Sequence, residues 1–108
     1  MKIYIAGKIT GLDIDEAKYN FAGVTNILEL EGHEVVNPMA LPHDHDKTWR
    51  SYMQECIMHL MSCDAVFALS NCFDSEGAMV EITLARGLKM PIYTRRVDIE
   101  MAFNESEF

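Results

Sequence analysis

The chain has 108 residues, with 17 acidic against 9 basic side chains and a formal charge of -8. That length supports one small domain built on a single core. The acidic balance excludes an extended surface for a nucleic-acid polymer or an anionic membrane, while a small ligand held by one local basic group stays within reach. Cys56, Cys63 and Cys72 cannot all pair within the chain, and none lies in a CxxC arrangement. Neither a disulfide framework nor a cysteine-based zinc site is expected; the three read as reduced, largely buried thiols of a cytoplasmic protein. No apolar run approaches the ~20 residues of a membrane span, and Met1-Lys2 leads straight into a strand, so a soluble, unprocessed chain is expected.

In chain order, "KIYIAG" (2–7) is apolar and β-prone, and the turn-rich "KITGLD" (8–13) separates it from an amphipathic stretch starting at Ile14. Asp13 and Glu16 have capping-box spacing, Ile14, Ala17, Phe21, Val24 and Leu28 form a helical stripe, and Gly32 stops the helix. "HEVVNP" (33–38) predicts a short second strand ended by Pro38, and "MALPHDHDKT" (39–48) predicts a loop. A second helix carries the stripe Trp49, Met53, Cys56, Ile57 and Leu60. "DAVFAL" (64–69) is then a nearly continuous apolar run, the pattern of a strand buried on both faces. A third helix from about Ser75 to Leu88 and a strand in "PIYTR" (91–95) complete the alternation, and the tail "VDIEMAFNESEF" (97–108) holds a short helix or an edge strand with a frayed acidic end.

Strand and helix alternating with short connections predict a small doubly wound α/β fold, a parallel sheet of four to five strands with helices on both faces. Ligands of such sheets gather at the carboxyl ends of the strands where strand order reverses, here the loops starting at Gly7, Asn37, Ser70 and Arg95.

The oddest residue in the third helix is Glu81, which shares a face with Gly77, Ala78, Leu84, Ala85 and Leu88. It lies about one turn beyond Gly77, roughly 6 Å along the axis, so a phosphate or sugar hydroxyl at the helix start would sit beside it. The helix amino end favours an anion and apolar neighbours oppose one; the balance predicts a poorly solvated but ionised carboxylate, competent as a nucleophile. The alternative is a pair with Arg86, Arg95 or another cation at the core edge.

"AGKITG" after the first strand offers backbone amides to a phosphate or sugar, with Lys8 beside them, or is a tight turn that needs Gly7 and Gly11 for its conformation. Tyr4 either aims its hydroxyl at the site or is ordinary core. Asp64, which opens the third strand, reads as a turn or cap residue, and that end lies away from the carboxyl edge unless the preceding turn folds back. "HDHD" (43–46) reads as a solvated polar loop, because adjacent loop residues rarely converge on one ion without ligands from elsewhere; no metal and no cofactor is expected. Trp49 and Tyr52 either stack on a base or anchor the second helix, with core as the default.

"IYIAGKITG" (3–11), "NP" (37–38), "CDAV" (63–66) and "SEGAMVE" (75–81), in this order and spacing, resemble the nucleoside 2-deoxyribosyltransferase superfamily, notably its small bacterial and phage branch, and the deoxyribonucleoside 5'-monophosphate N-glycosidases. The resemblance spans residues 3 to about 95. It implies a flavodoxin-like fold and attack at the bond between a deoxyribose and its base, with Glu81 at the position of the nucleophilic glutamate. Tyr4 and Asp64 match positions that orient the nucleophile and contact or protonate the substrate. Ser75 and Gly77, with Ala78 beside them, match the monophosphate-binding turn, and Gly7, Lys8, Ile9, Gly11, Asn37 and Pro38 fall on the other loops of the implied substrate site. Lys8 is a departure, standing where the glycosidases carry a small hydroxyl residue and the small branch usually carries proline. The resemblance also implies a homodimer or higher homo-oligomer whose neighbouring carboxyl-terminal region completes each site, a role for which Asn104 or Ser106 is available.

Two other functions fit the same residues. One is a phosphoribohydrolase that frees a base from a nucleotide, although the glycine pair preceding that class's loop is missing. The other is a nucleotide-binding or sensing module without a reaction. In a purely structural α/β domain, every residue singled out would be core or turn.

Overall fold

The strand Lys2–Ala6, β1, divides the core, because successive strand side chains point to opposite faces. Ile3 is buried with Leu28, Phe67 and Ile99 on one face, whereas Tyr4 and Ala6 are buried with Cys56, Leu60, Val66 and Ile82 on the other. A strand apolar at every position is stable only when both faces are covered. The structure, a computed structural model, describes residues 1–106, with side chains described for residues 1–102.

Helix α1 (Ile14–Leu30) starts where Asp13 Oδ1 accepts the N–H groups of Asp15 and Glu16, at 2.9 and 3.3 Å, and Gly32 follows its end at φ 93°. Only Ala17, Phe21 and Leu28 of its stripe are fully buried. The short strand β2 (Glu34–Val36) leads to Asn37, whose Oδ1 accepts the Met39 N–H and caps a 3-10 turn at Pro38–Ala40. Helix α2 (Trp49–Met61), capped by Thr48, buries Met53, Cys56 and Leu60. The fully buried β3 (Ala65–Ala68), a 3-10 turn at Cys72–Asp74, helix α3 (Glu76–Gly87), strand β4 (Ile92–Tyr93) and helix α4 (Arg96–Ser106) follow.

The sheet order is β2-β1-β3-β4, and every pairing is parallel. Clusters on opposite faces place α1 and α4 on one side, α2 and α3 on the other. This is the doubly wound α/β sheet expected, with four strands among the described residues. Strand order reverses between β1 and β3, so the crevice of such a sheet opens beyond Ala6 and Ala68.

Three expectations change. The tail, left open between helix and edge strand, is α4, because Ile99 is fully buried against the sheet. Trp49 is not core: at the first position of α2 it is 57% exposed. The "HDHD" loop is not simply solvated, since His43 and His45 fold back onto Glu55 of α2. Phe108 and the side chains of Asn104 and Ser106 lie outside the described residues. The three cysteines are free and buried, and no described helix is long and apolar enough to cross a membrane.

If Ile99 anchors α4, Ile99→Ala should cost roughly 2 to 5 kcal/mol in urea unfolding, while Val97→Ala on the exposed side stays within about 0.5 kcal/mol.

Candidate functional site

Two loops and one helix start meet at the carboxyl edge of β1 and β3. Leu69 N–H donates to the Ala6 carbonyl at 2.8 Å, holding the strand ends together. The Lys8 backbone N–H donates to Asn71 Oδ1 at 3.0 Å, tying the loop after β1 to the loop after β3. A Cβ on Gly7 would lie 2.6 Å from Leu69 Cδ1 and 3.1 Å from Phe21 Cζ, so this turn has no room for a side chain. Opposite, Ser75 caps α3 by accepting the Ala78 N–H at 3.2 Å. At Gly77 a Cβ would come within 3.2 Å of Met53 Sδ, so its absence lets α3 lie close against α2.

Between these elements lies a cavity of about 360 Å³. Gly7, Lys8, Ile9 and Thr10 line one side, and Ser75, Gly77 and Ala78 another. Met53, Cys56 and Glu81 form its buried end, while Trp49, Asp74 and Glu76 are exposed at its mouth. Pro38 and Tyr52 complete the wall.

Glu81 is 6% exposed, and among the described residues no lysine or arginine pairs with it. Arg95 is engaged instead with Asp98, at 2.9 Å. Burial pushes the Glu81 carboxyl up to about 7, with the Tyr4 hydroxyl pulling the other way. The carboxyl is therefore near half-protonated at neutral pH rather than simply ionised, because desolvation outweighs what its neighbours return. Tyr4 is fully buried, and its hydroxyl is pushed far above the usual phenol range by burial and then by the nearby Glu81 and Cys56. Neither the Tyr4 hydroxyl nor Glu81 Oε2 has a partner at strict hydrogen-bond geometry, yet the hydroxyl lies near enough to the carboxyl to favour its ionised form as a hydrogen-bond donor would. Burial also pushes the Cys56 thiol up to about 11, which keeps it protonated and unreactive.

Of the residues singled out from the sequence, Glu81, Gly7, Lys8, Ile9, Pro38, Ser75, Gly77 and Ala78 meet around this one cavity, with Tyr4 packed behind Glu81. Three do not line it. Asp64 sits at the opposite, amino edge of the sheet, where its Oδ2 accepts the Lys2 N–H at 2.8 Å and its own N–H donates to the Lys2 carbonyl at 2.7 Å. It caps the start of β3, at the end of the sheet away from the cavity. Asn37 spends its side chain on the Met39 N–H, and Gly11, at φ 90°, is a turn residue. Sequence reasoning missed Thr10, Met53, Cys56, Asp74 and Glu76, and it assigned Trp49 and Tyr52 to the core by default. The aromatic pair at the start of α2, beside a loop, was the one signal that could have marked that wall.

Residues 1–94 match the family described as a domain of unknown function, DUF4406. The chain belongs to that family. No curated protein matches it. Among solved structures it is similar to a 2-deoxyribosyltransferase from the psychrotolerant bacterium Bacillus psychrosaccharolyticus, with a TM-score of 0.66 and 21% identity over 85% of this chain and 69% of that one. That protein is described as a biocatalyst for the synthesis of nucleosides. At this identity the likeness establishes a common fold for this family member, the doubly wound parallel sheet.

The burial of Glu81 can be measured without any ligand. Its folded pKa of about 7 exceeds the ordinary glutamate value of 4.5, so the folded state holds an extra proton between those values and loses stability as pH rises through them. Tyr4, Tyr52 and Cys56 are the titratable groups that face it, and none ionises in that window. Relative to the parent, Glu81→Gln should therefore gain stability between pH 4 and pH 8, by roughly 3 kcal/mol in urea melts. Tyr4→Phe should raise the Glu81 pKa further, read from the carboxyl carbon shift in an NMR titration.

Proposed function

We propose that this protein cleaves or transfers at the N-glycosidic bond of a deoxynucleoside or nucleoside 5'-monophosphate, through a covalent glycosyl-glutamate intermediate on Glu81. The carrying observation is a buried carboxylate that has no cationic partner among the described residues, at the closed end of a cavity lying on the switch point of the sheet. The shared fold of a 2-deoxyribosyltransferase supports the same reading.

The ionised form of Glu81 supplies the nucleophile. One carboxylate oxygen bonds to the anomeric carbon while the carbon–nitrogen bond breaks, its electron pair leaving with the base, through an oxocarbenium-like transition state. The departing base takes a proton from solvent at the open cavity mouth, where Asp74 and Glu76 are exposed. In the second step the oxygen of water, or a nitrogen of a second base, bonds to the anomeric carbon as the carbon–oxygen bond to Glu81 breaks; the pair returns to the carboxylate and the nucleophile's proton leaves to solvent. Tyr4, beside the carboxylate, favours its ionised form. The start of α3 at Ser75, Gly77 and Ala78, with Lys8 across the cavity, suits a 5'-phosphate. Trp49 and Tyr52 offer aromatic faces for the base. The reading includes a cytoplasmic homodimer or higher homo-oligomer that covers the cavity mouth at the exposed Trp49.

The test incubates the parent and Glu81→Ala with deoxynucleosides, their 5'-monophosphates and the ribo counterparts, and measures free base by chromatography. The parent should release base, and the variant should lose on the order of 10³-fold or more. Release by both alike would sink the assignment of Glu81. Release from ribonucleotides alone would favour the phosphoribohydrolase, and a raised melting temperature with no base released would favour the binding module. The parent's kcat/KM should climb with pH through about 7 as Glu81 ionises. Asp64→Asn, remote from the cavity, should stay within a few-fold of the parent.

A further inference from the structure

We infer that His43, His45 and Glu55 form a binding site for one divalent metal ion of the zinc class, outside the cavity and independent of the proposed glycosidic chemistry. His43 and His45 come from the loop before α2, and Glu55 from within α2; their side chains are only 14–15% exposed. His43 Nδ1 lies 2.9 Å and His45 Nε2 3.3 Å from the same oxygen, Glu55 Oε2. One ligand atom from each of the three falls within 4.8 Å of the others. Ligands bound at zinc distances to a common ion are separated by roughly 2.9 to 3.4 Å at right-angled to tetrahedral geometry, which matches both contacts.

The protonation pattern adds the second argument. His43 Nε2 lies 2.8 Å from the Pro38 carbonyl, which can only accept, so Nε2 carries the proton. In the neutral ring, Nδ1 then turns a lone pair toward a carboxylate oxygen, a contact that either a second proton on the ring or a cation between the two atoms makes favourable. None of His43 Nδ1, His45 Nε2 and Glu55 Oε2 makes a hydrogen bond of ordinary geometry, although all three atoms are buried. A single cation satisfies all three. A carbonyl fixing the far nitrogen of a ligating histidine is the usual outer support of a metal site, and two imidazoles with one carboxylate suit zinc and its neighbours better than magnesium or calcium. Three protein ligands leave a fourth position for solvent.

His45 is the weaker ligand. Its Nδ1 accepts the Lys47 N–H at 3.0 Å, which puts the neutral ring's proton on Nε2. Metal binding there must move that proton and give up the Lys47 contact. The ion's effect reaches the cavity through the wall: the His43 ring stacks on Tyr52 with centroids 4.2 Å apart and planes 10° apart, and both Tyr52 and Pro38 line the cavity. The ion would hold the 41–48 loop against α2, including His43 and Lys47 in their left-handed backbone conformations at φ 52° and 65°.

The deciding experiment titrates the metal-free, tag-free full chain with Zn²⁺ by calorimetry and with Co²⁺ by visible absorption. One ion per chain is expected, with a cobalt d–d band, no thiolate charge-transfer band and a raised melting temperature. His43→Gln and Glu55→Gln should each weaken binding at least about tenfold, His45→Gln less, and His59→Ala not at all. The Co²⁺ spectrum of the parent decides the matter even where a variant folds poorly. No binding at one equivalent, a thiolate band, or unchanged affinity in folded His43→Gln and Glu55→Gln would overturn the site.

Discussion

The parallel pairing of β1 with β2 on one side and β3 on the other is the constraint on which everything else rests. A parallel partner cannot be reached by a tight turn, so each connection has to cross over a face of the sheet as a helix. The crossover to β2 uses α1 on one face, and the return past β1 to β3 uses α2 on the other. Where the two directions part, the loops after Ala6 and Ala68 have no helix packed between them, and the cavity lies there.

That geometry explains how a carboxylate comes to be buried. Helix α3 packs on the face that carries Tyr4, Ala6 and Val66, and the stripe that seals it, Ala78, Ile82 and Ala85, also carries Glu81. Replacing Glu81 by an apolar residue would remove the cost of desolvating it. Instead the fold retains a group whose pKa is displaced by its surroundings, next to a tyrosine whose hydroxyl is equally cut off from water. Perturbed titratable groups at the end of a cleft mark functional sites more often than structural ones, and among the described residues no salt bridge supplies a structural reason for the carboxylate.

The wall on the α2 side is made differently. Its backbone is a loop, and its shape depends on side chains that reach across it, with His43 and His45 set on Glu55 and His43 stacked on Tyr52. The carboxylate of Glu55 is opposed by burial yet held below its usual range by the His43 N–H and by the two imidazoles. The cavity thus has one rigid side, formed by strand ends and a capped helix, and one side held by polar contacts.

Much of this was legible in the chain itself. Continuous apolar runs, helical stripes, Asp13, Gly32 and Ser75 as boundary signals, and the short connections together specify a parallel doubly wound sheet, because local sterics and hydrophobic patterning act over a few residues. The misplaced polarity of Glu81 and the glycines of the first loop pointed to the same end of the sheet. Only the tertiary structure decided which residues meet. It drew Trp49 out of the core to the cavity mouth and made the tail a helix through the burial of Ile99, while Asp64 stayed at the amino edge where its place at the start of a strand put it. It also brought Glu55, ten residues beyond His45 and on another element, to two histidines whose spacing alone gave no reason to converge. The carboxyl's displaced pKa belongs to the same class, since desolvation is set by everything packed around a group and periodicity records only the face on which it lies.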